Sequence, residues 1–222
     1  MPDVLKRYSV CVALRFHQLI FQQRKKVDWR KTVEYLFINE LLRQNLDFFA
    51  HPLVPRGEGG ADDLIASPAV FLYLVEFRPD VSSLDLECVR FYDYEKARLL
   101  LKGSDSHHLV AYGESTEQGI TLGVRSYFSG SQYRHLLKNG RIDRLHFEKY
   151  MTQLLFFRRK DVEGIGDAGV LNHAIIIGVT DSGKFAGSMT LQDYISLVFP
   201  ECLQAGISRS EHTDKERRPQ CN

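Results

Sequence analysis

The chain has 222 residues, 44% hydrophobic and 26% charged, with 29 Lys+Arg against 28 Asp+Glu for a formal net charge of +1. That is enough apolar material for one ordinary core, and the balanced charge gives no case for a globally basic nucleic-acid binder or an enzyme built for acidic substrates. No apolar run approaches the roughly 18 residues needed to cross a bilayer, and MPDVLKRYSV is not a basic segment leading into a clean apolar stretch, so a cytoplasmic protein with no membrane association is expected.

In chain order, Val4, Tyr8, Cys11 and Val12 recur at helical spacing within residues 3 to 24, although YSVCVALRF also reads as a strand. A clearer helix follows from Asp28, its expected N-cap, to Leu46, with Val33, Leu36, Phe37, Glu40, Leu41 and Asn45 progressing around it. Pro55 and three glycines at 55 to 60 make a loop. The loop leads into a predicted hairpin, in which a strand DLIAS turns at Ser67-Pro68-Ala69 into VFLYLVEFR. The second strand is apolar at nearly every position before Glu76, as in a central strand buried on both faces.

Ser83 is expected to cap a helix running to Lys102, stopped by Gly103. HHLVAYGE and ITLGVRSYF read as two strands joined by the polar turn STEQG. Residues 130 to 157 read as helix, broken at Asn139-Gly140; then come the glycine-rich loop GIGDAG, the strand HAIIIGV and a closing helix from about Thr190 to Phe199. The expected fold class is α/β, in one domain over residues 1–205, with an apolar-poor, disordered tail at 206–222. The four cysteines, Cys11, Cys88, Cys202 and Cys221, form no CxxC pair and no zinc-type spacing. They read as three buried small hydrophobes and a tail thiol.

The hairpin carries the chemistry. Asp62 and Asp63 open its first strand and Glu76 and Arg78 close its second, so folding back at Ser67-Pro68 brings the acidic ends together, with Glu76 and Arg78 on one face. Convergent carboxylates suit a hard divalent ion, because Mg²⁺ takes oxygen ligands and keeps waters for chemistry on phosphates.

This pattern resembles the PD-(D/E)XK nuclease superfamily, whose core is a glutamate-bearing helix, an Asp-bearing strand, a strand ending in Glu-X-Lys, and a further helix. The matching residues are Glu34 or Glu40 in the first helix, Asp63 (or Asp62) in GADDLI and Glu76 in VEFRP, with twelve residues between Asp63 and Glu76. The resemblance covers about residues 28–128 and leaves a helical and β extension at about 129–205. It implies a restriction-endonuclease-like central mixed sheet flanked by helices. It also implies Mg²⁺ or Mn²⁺ held by Asp63 and Glu76 with help from Glu34, and metal-dependent hydrolysis of DNA phosphodiesters, in settings such as restriction or phage defence. The sequence departs from the family at the lysine, which is Arg78 here. An arginine does not give up its proton in a protein, so it can orient water or phosphate but cannot act as a base. Lys96 or Lys102 on the next helix are the alternatives. A site decayed at this position would instead make the chain a catalytically inactive subunit that binds nucleic acid or scaffolds a larger complex, with a protein partner or a second copy.

From Arg134 to Lys160 there are eight Lys/Arg against Asp143 and Glu148, a local surplus of +6. Arg134, Lys138, Arg141, Arg144, Arg158, Arg159 and Lys160 are therefore the expected backbone-binding residues, against the alternative of a solvated helix face. Tyr127, Phe128 and Tyr133 could stack on bases or fill the core. Gly178 to Lys184 has GxxxxGK spacing, but Phe185 stands where a phosphate loop places Ser or Thr. A β-turn is expected there, with nucleotide sensing as a third functional reading. His107 and His108, adjacent at the start of a strand, are expected to point to opposite faces as a structural or surface pair.

Overall fold

The computed structural model describes residues 29–44, 64, 69–138, 140–158 and 173–200. The expected N-terminal helix, Asp28, the 55–60 loop, Asp62, Asp63, Arg159, Lys160, GIGDAG and the tail lie outside the described residues.

The first described helix, α1 (Arg30–Arg43), buries Val33, Phe37 and Leu41, positions four apart that form one apolar stripe. It is followed by β1 (Val70–Arg78), 3-10 turns over Val81–Arg90, α2 (Tyr94–Leu101), β2 (His108–Thr116) and β3 (Gly119–Ser126). The chain continues with α3 (Arg144–Phe157), β4 (Ala174–Thr180), β5 (Phe185–Thr190) and α4 (Leu191–Val198). Side-chain caps define most of the helix starts: Asp93 accepts from the Lys96 amide, Asp143 from the His146 amide and Thr190 from the Asp193 amide.

The strands form one five-stranded sheet in the order β3-β2-β1-β4-β5. β1 and β2 run parallel, with Leu74 opposite His108 and Arg78 opposite Tyr112, while β1/β4, β2/β3 and β4/β5 are antiparallel. The fold is therefore α/β with a mixed open sheet. β1 is central because its side chains are apolar on both faces. Leu72 and Leu74 belong to one core with α2, α3 and α4, while Tyr73, Val75 and Phe77 belong to a second core with α1 and Leu136–Leu137.

Several expectations are corrected. Among the described residues VFLYLVEFR pairs with distant strands: β4 takes one edge of β1 over Val70–Glu76 and β2 takes the other over Leu74–Arg78. Ahead of β2, Leu72 N–H donates to the Ile142 carbonyl and Leu74 N–H to the His107 carbonyl. Leu64, expected in a strand, is helical and packs on this core. An apolar run shows that a strand is buried but not which strands flank it. The expected 83–102 helix is split between the 3-10 turns, capped by Asp80 and not Ser83, and α2. In the expected helical region 130–157, only Arg144–Phe157 is α-helix. β5 was not anticipated. It pairs with β4 across the turn Thr180–Lys184, where Gly183 has φ 84, so GxxxxGK is a hairpin turn leading into a strand and not a loop opening a helix. Cys88 is disulfide-bonded, which corrects its reading as a simple buried hydrophobe. Among the described residues no helix is long and apolar enough to cross a membrane.

Candidate functional site

Glu76 and Arg78 lie at the charged end of β1, on the face covered by α2 and α3, and both are buried. Arg78 Nη2 donates to Glu76 Oε2 in a short contact, as the strand alternation anticipated, and its Nη1 donates to the Phe77 carbonyl at 3.0 Å. The remaining partners come from distant sequence. Arg158, at the C-terminal end of α3, donates through Nη1 to Glu76 Oε1 at 2.6 Å, and His108 Nε2 lies 2.9 Å from the same oxygen. Arg90 Nη1 stands 4.0 Å from Oε2.

A carboxylate can only accept, so His108 Nε2 carries the proton and Nδ1 accepts from the Tyr150 hydroxyl at 2.7 Å. Burial by itself would raise the Glu76 pKa, but Arg158, Arg78 and the His108 hydrogen bond outweigh it and hold the carboxyl well below its usual range. Burial lowers the His108 pKa, against the pull of Glu76, and keeps the ring neutral. Aromatic rings close the site: Tyr127 stacks on His108 at 4.3 Å, and the Arg158 guanidinium lies 4.7 Å from the Tyr127 centroid and 4.9 Å from that of Phe91. Nearby, buried Asp105 accepts from the Phe128 and Ser129 amides, each at 2.7 Å, and fixes the turn before β2.

The two histidines do not point to opposite faces. His107 precedes β2 and is outside its alternation; its ring packs on Tyr150 at 4.4 Å and Phe147 at 5.4 Å, both on the helix that also meets His108. Neither His107 ring nitrogen has a hydrogen-bond partner among the described residues, and burial pushes its pKa down to about 3.

Of the other expected site residues, Glu34 and Glu40 sit on α1, which packs against the opposite face of the sheet. Glu34 pairs with Lys31 at 2.8 Å and lines a cavity of about 30 Å³ with Phe77, His173, Ile175 and Thr190. Glu40 pairs with Arg43 at 2.9 Å and accepts from Gln44 at 2.6 Å. The sheet therefore separates both glutamates from the Glu76 network. Lys96 and Lys102 are exposed at the two ends of α2.

Among the described residues the basic stretch is divided between paired and exposed side chains. Arg158, expected to bind nucleic acid, is 2% exposed and committed to Glu76, because a guanidinium at that end of α3 falls directly over the buried carboxylate. Arg144 pairs with Glu148 at 2.6 Å, and Arg141 donates to the Asp181 carbonyl at 2.7 Å and lies over Phe71. Arg134 and Lys138 are exposed. Tyr127 and Phe128 are core.

Sequence reading missed Arg158 as a partner of Glu76, and it missed His108 and Tyr150 as the hydrogen-bonded chain beyond it. The available signal was a charged end to an otherwise apolar central strand: a buried carboxylate there requires cations from elsewhere.

The residues present do not fit a divalent metal at Glu76. Oε1 already accepts from Arg158 and His108, Oε2 accepts from Arg78 with Arg90 beyond it, and the surrounding guanidiniums would repel a dication. Among the described residues no group of three or more His, Cys, Asp or Glu is placed to hold a metal ion. No protein-family model, curated protein or solved structure matches the chain.

Proposed function

We propose that the chain is a non-catalytic, nucleic-acid-binding member of the restriction-endonuclease-like class, in which the acidic position of the central strand has become a structural ion network. The observation that carries this reading is the enclosure of Glu76. Its carboxylate is 1% exposed and hydrogen-bonded by Arg78, Arg158 and His108. A working phosphodiesterase needs that oxygen open to a metal and to solvent. Arg78 standing for the family lysine supports the same reading, since the guanidinium neutralises the glutamate and cannot serve as a base.

The fold-level argument for the class is the central strand ending in Glu-Phe-Arg within a mixed α/β sheet, preceded by α1 and followed by helical segments. The departure is that β2 and β4 flank β1 where the resemblance places an Asp-bearing strand.

Supercoiled plasmid incubated with purified protein in Mg²⁺, Mn²⁺ or EDTA tests the reading, with Glu76→Gln in parallel. No nicking above background is expected in any condition. Metal-dependent nicking by the wild type that disappears in Glu76→Gln would overturn the proposal in favour of an active DNA hydrolase.

A further inference from the structure

Arg134, His135 and Lys138 are exposed within five residues of one another, and the loop that carries them is built in an unusual way. Leu137 has φ 55, a left-handed conformation that is unfavourable for a bulky side chain. The backbone is held there by tertiary contacts from both directions. Gln44, just beyond α1, donates through its amide to the Arg134 carbonyl at 3.1 Å and accepts from the Leu136 amide at 2.9 Å. From β1, the Tyr73 hydroxyl donates to the Leu137 carbonyl at 3.0 Å. Leu136 and Leu137 are buried in the α1 core, so Arg134, His135 and Lys138 are the side chains left pointing outward. Backbone strain maintained by several outside anchors marks a segment whose shape is being specified, and here that shape presents three basic side chains from five residues.

We propose that the Arg134–Lys138 loop is the phosphate-backbone contact of this protein, a deepening that rests on the nucleic-acid reading above. Arg134 and Lys138 supply the charge, and His135 lies between them. A nucleic acid suits the loop better than an anionic bilayer or an apolar peptide groove, because both leucines point inward and leave no apolar anchor at the tip. Gln44 is a positioning residue: it touches the loop's backbone and acts through it. The nearby Arg43 is paired with Glu40.

The test is fluorescence anisotropy with a duplex of about 30 base pairs, roughly three helical turns, and the same sequence as a single strand, across a salt series. Relative to wild type, Arg134→Ala with Lys138→Ala should weaken binding about tenfold or more and flatten the salt slope by about two counterions. Gln44→Leu should weaken binding with every cation still present, and Lys31→Ala, at the far end of α1, should leave Kd and slope unchanged. Circular dichroism confirms that each variant is folded, and all four substituted positions are outside the Glu76 network. Wild-type binding that the double substitution leaves intact overturns the loop while sparing the nucleic-acid reading. Absence of wild-type binding to either probe overturns both, as does equal competition by polyglutamate, which would indicate an acidic protein partner.

Discussion

His107→Phe isolates one buried ionisable group from all the others. In the folded protein the His107 ring packs against Tyr150 and Phe147, neither nitrogen is satisfied among the described residues, and its pKa is down to about 3. An unfolded histidine titrates near 6.5. The folded value is thus depressed, so the unfolded chain binds a proton below pH 6.5 that the folded chain refuses until about pH 3, and stability is lost as the pH falls through that window. At pH 5 the interval is about 1.5 pH units, which at 1.36 kcal/mol per unit is a loss of about 2 kcal/mol relative to pH 7.5. Phenylalanine has no proton to refuse. Its slightly different volume shifts stability by a constant amount at every pH, so the comparison that matters is the difference between the two pH values and not either one alone.

Urea denaturation followed by far-ultraviolet circular dichroism, at pH 7.5 and pH 5 for both proteins, measures this. Wild type should lose about 2 kcal/mol more than His107→Phe between the two conditions. Glu76 does not confuse the result: its folded pKa is depressed, so its contribution is present above the ordinary carboxylate range and is lost only at lower pH, below the window used. His108 stays in both proteins and cancels. If the two pH dependences agree within about 0.5 kcal/mol, the assignment of His107 as a neutral buried group in the folded state is refuted.

Glu76→Leu leaves Arg78 and Arg158 buried without their carboxylate, and should destabilise by about 3–5 kcal/mol in the same urea assay. Adding Arg158→Met to it should recover part of that loss, whereas a single-variant loss below about 1 kcal/mol would mean that the guanidiniums find other compensation. Gly140→Ala should cost about 1–3 kcal/mol, because Gly140 has φ 79 and a Cβ there would stand 2.2 Å from the Ser106 carbonyl oxygen. Thermal unfolding checks it, and an unchanged Tm would show that the Ser106 turn yields without strain.

The sequence by itself determined the parts that depend on neighbours along the chain. VFLYLVEFR could only be a strand buried on two faces; Val33, Phe37 and Leu41 put α1 on the sheet; and the β2–β3 hairpin followed from two apolar segments around a polar turn. Glu76 and Arg78 fell on one face because strand side chains alternate. What only the tertiary structure decided is who stands beside whom across long separations. A parallel partner for β1 comes from β2 beyond an intervening helix, and the antiparallel partner comes from β4, which begins at Ala174. Apolar periodicity carries no address, so a local hairpin was read where two distant strands compete successfully for the same edges. The same holds for Glu76: its local sequence suggested a metal ligand, and its burial beneath Arg158, 82 residues further along, made it the anion of an internal ion network. A carboxylate's chemistry is set by the charges and solvent around it, and those are properties of the folded chain.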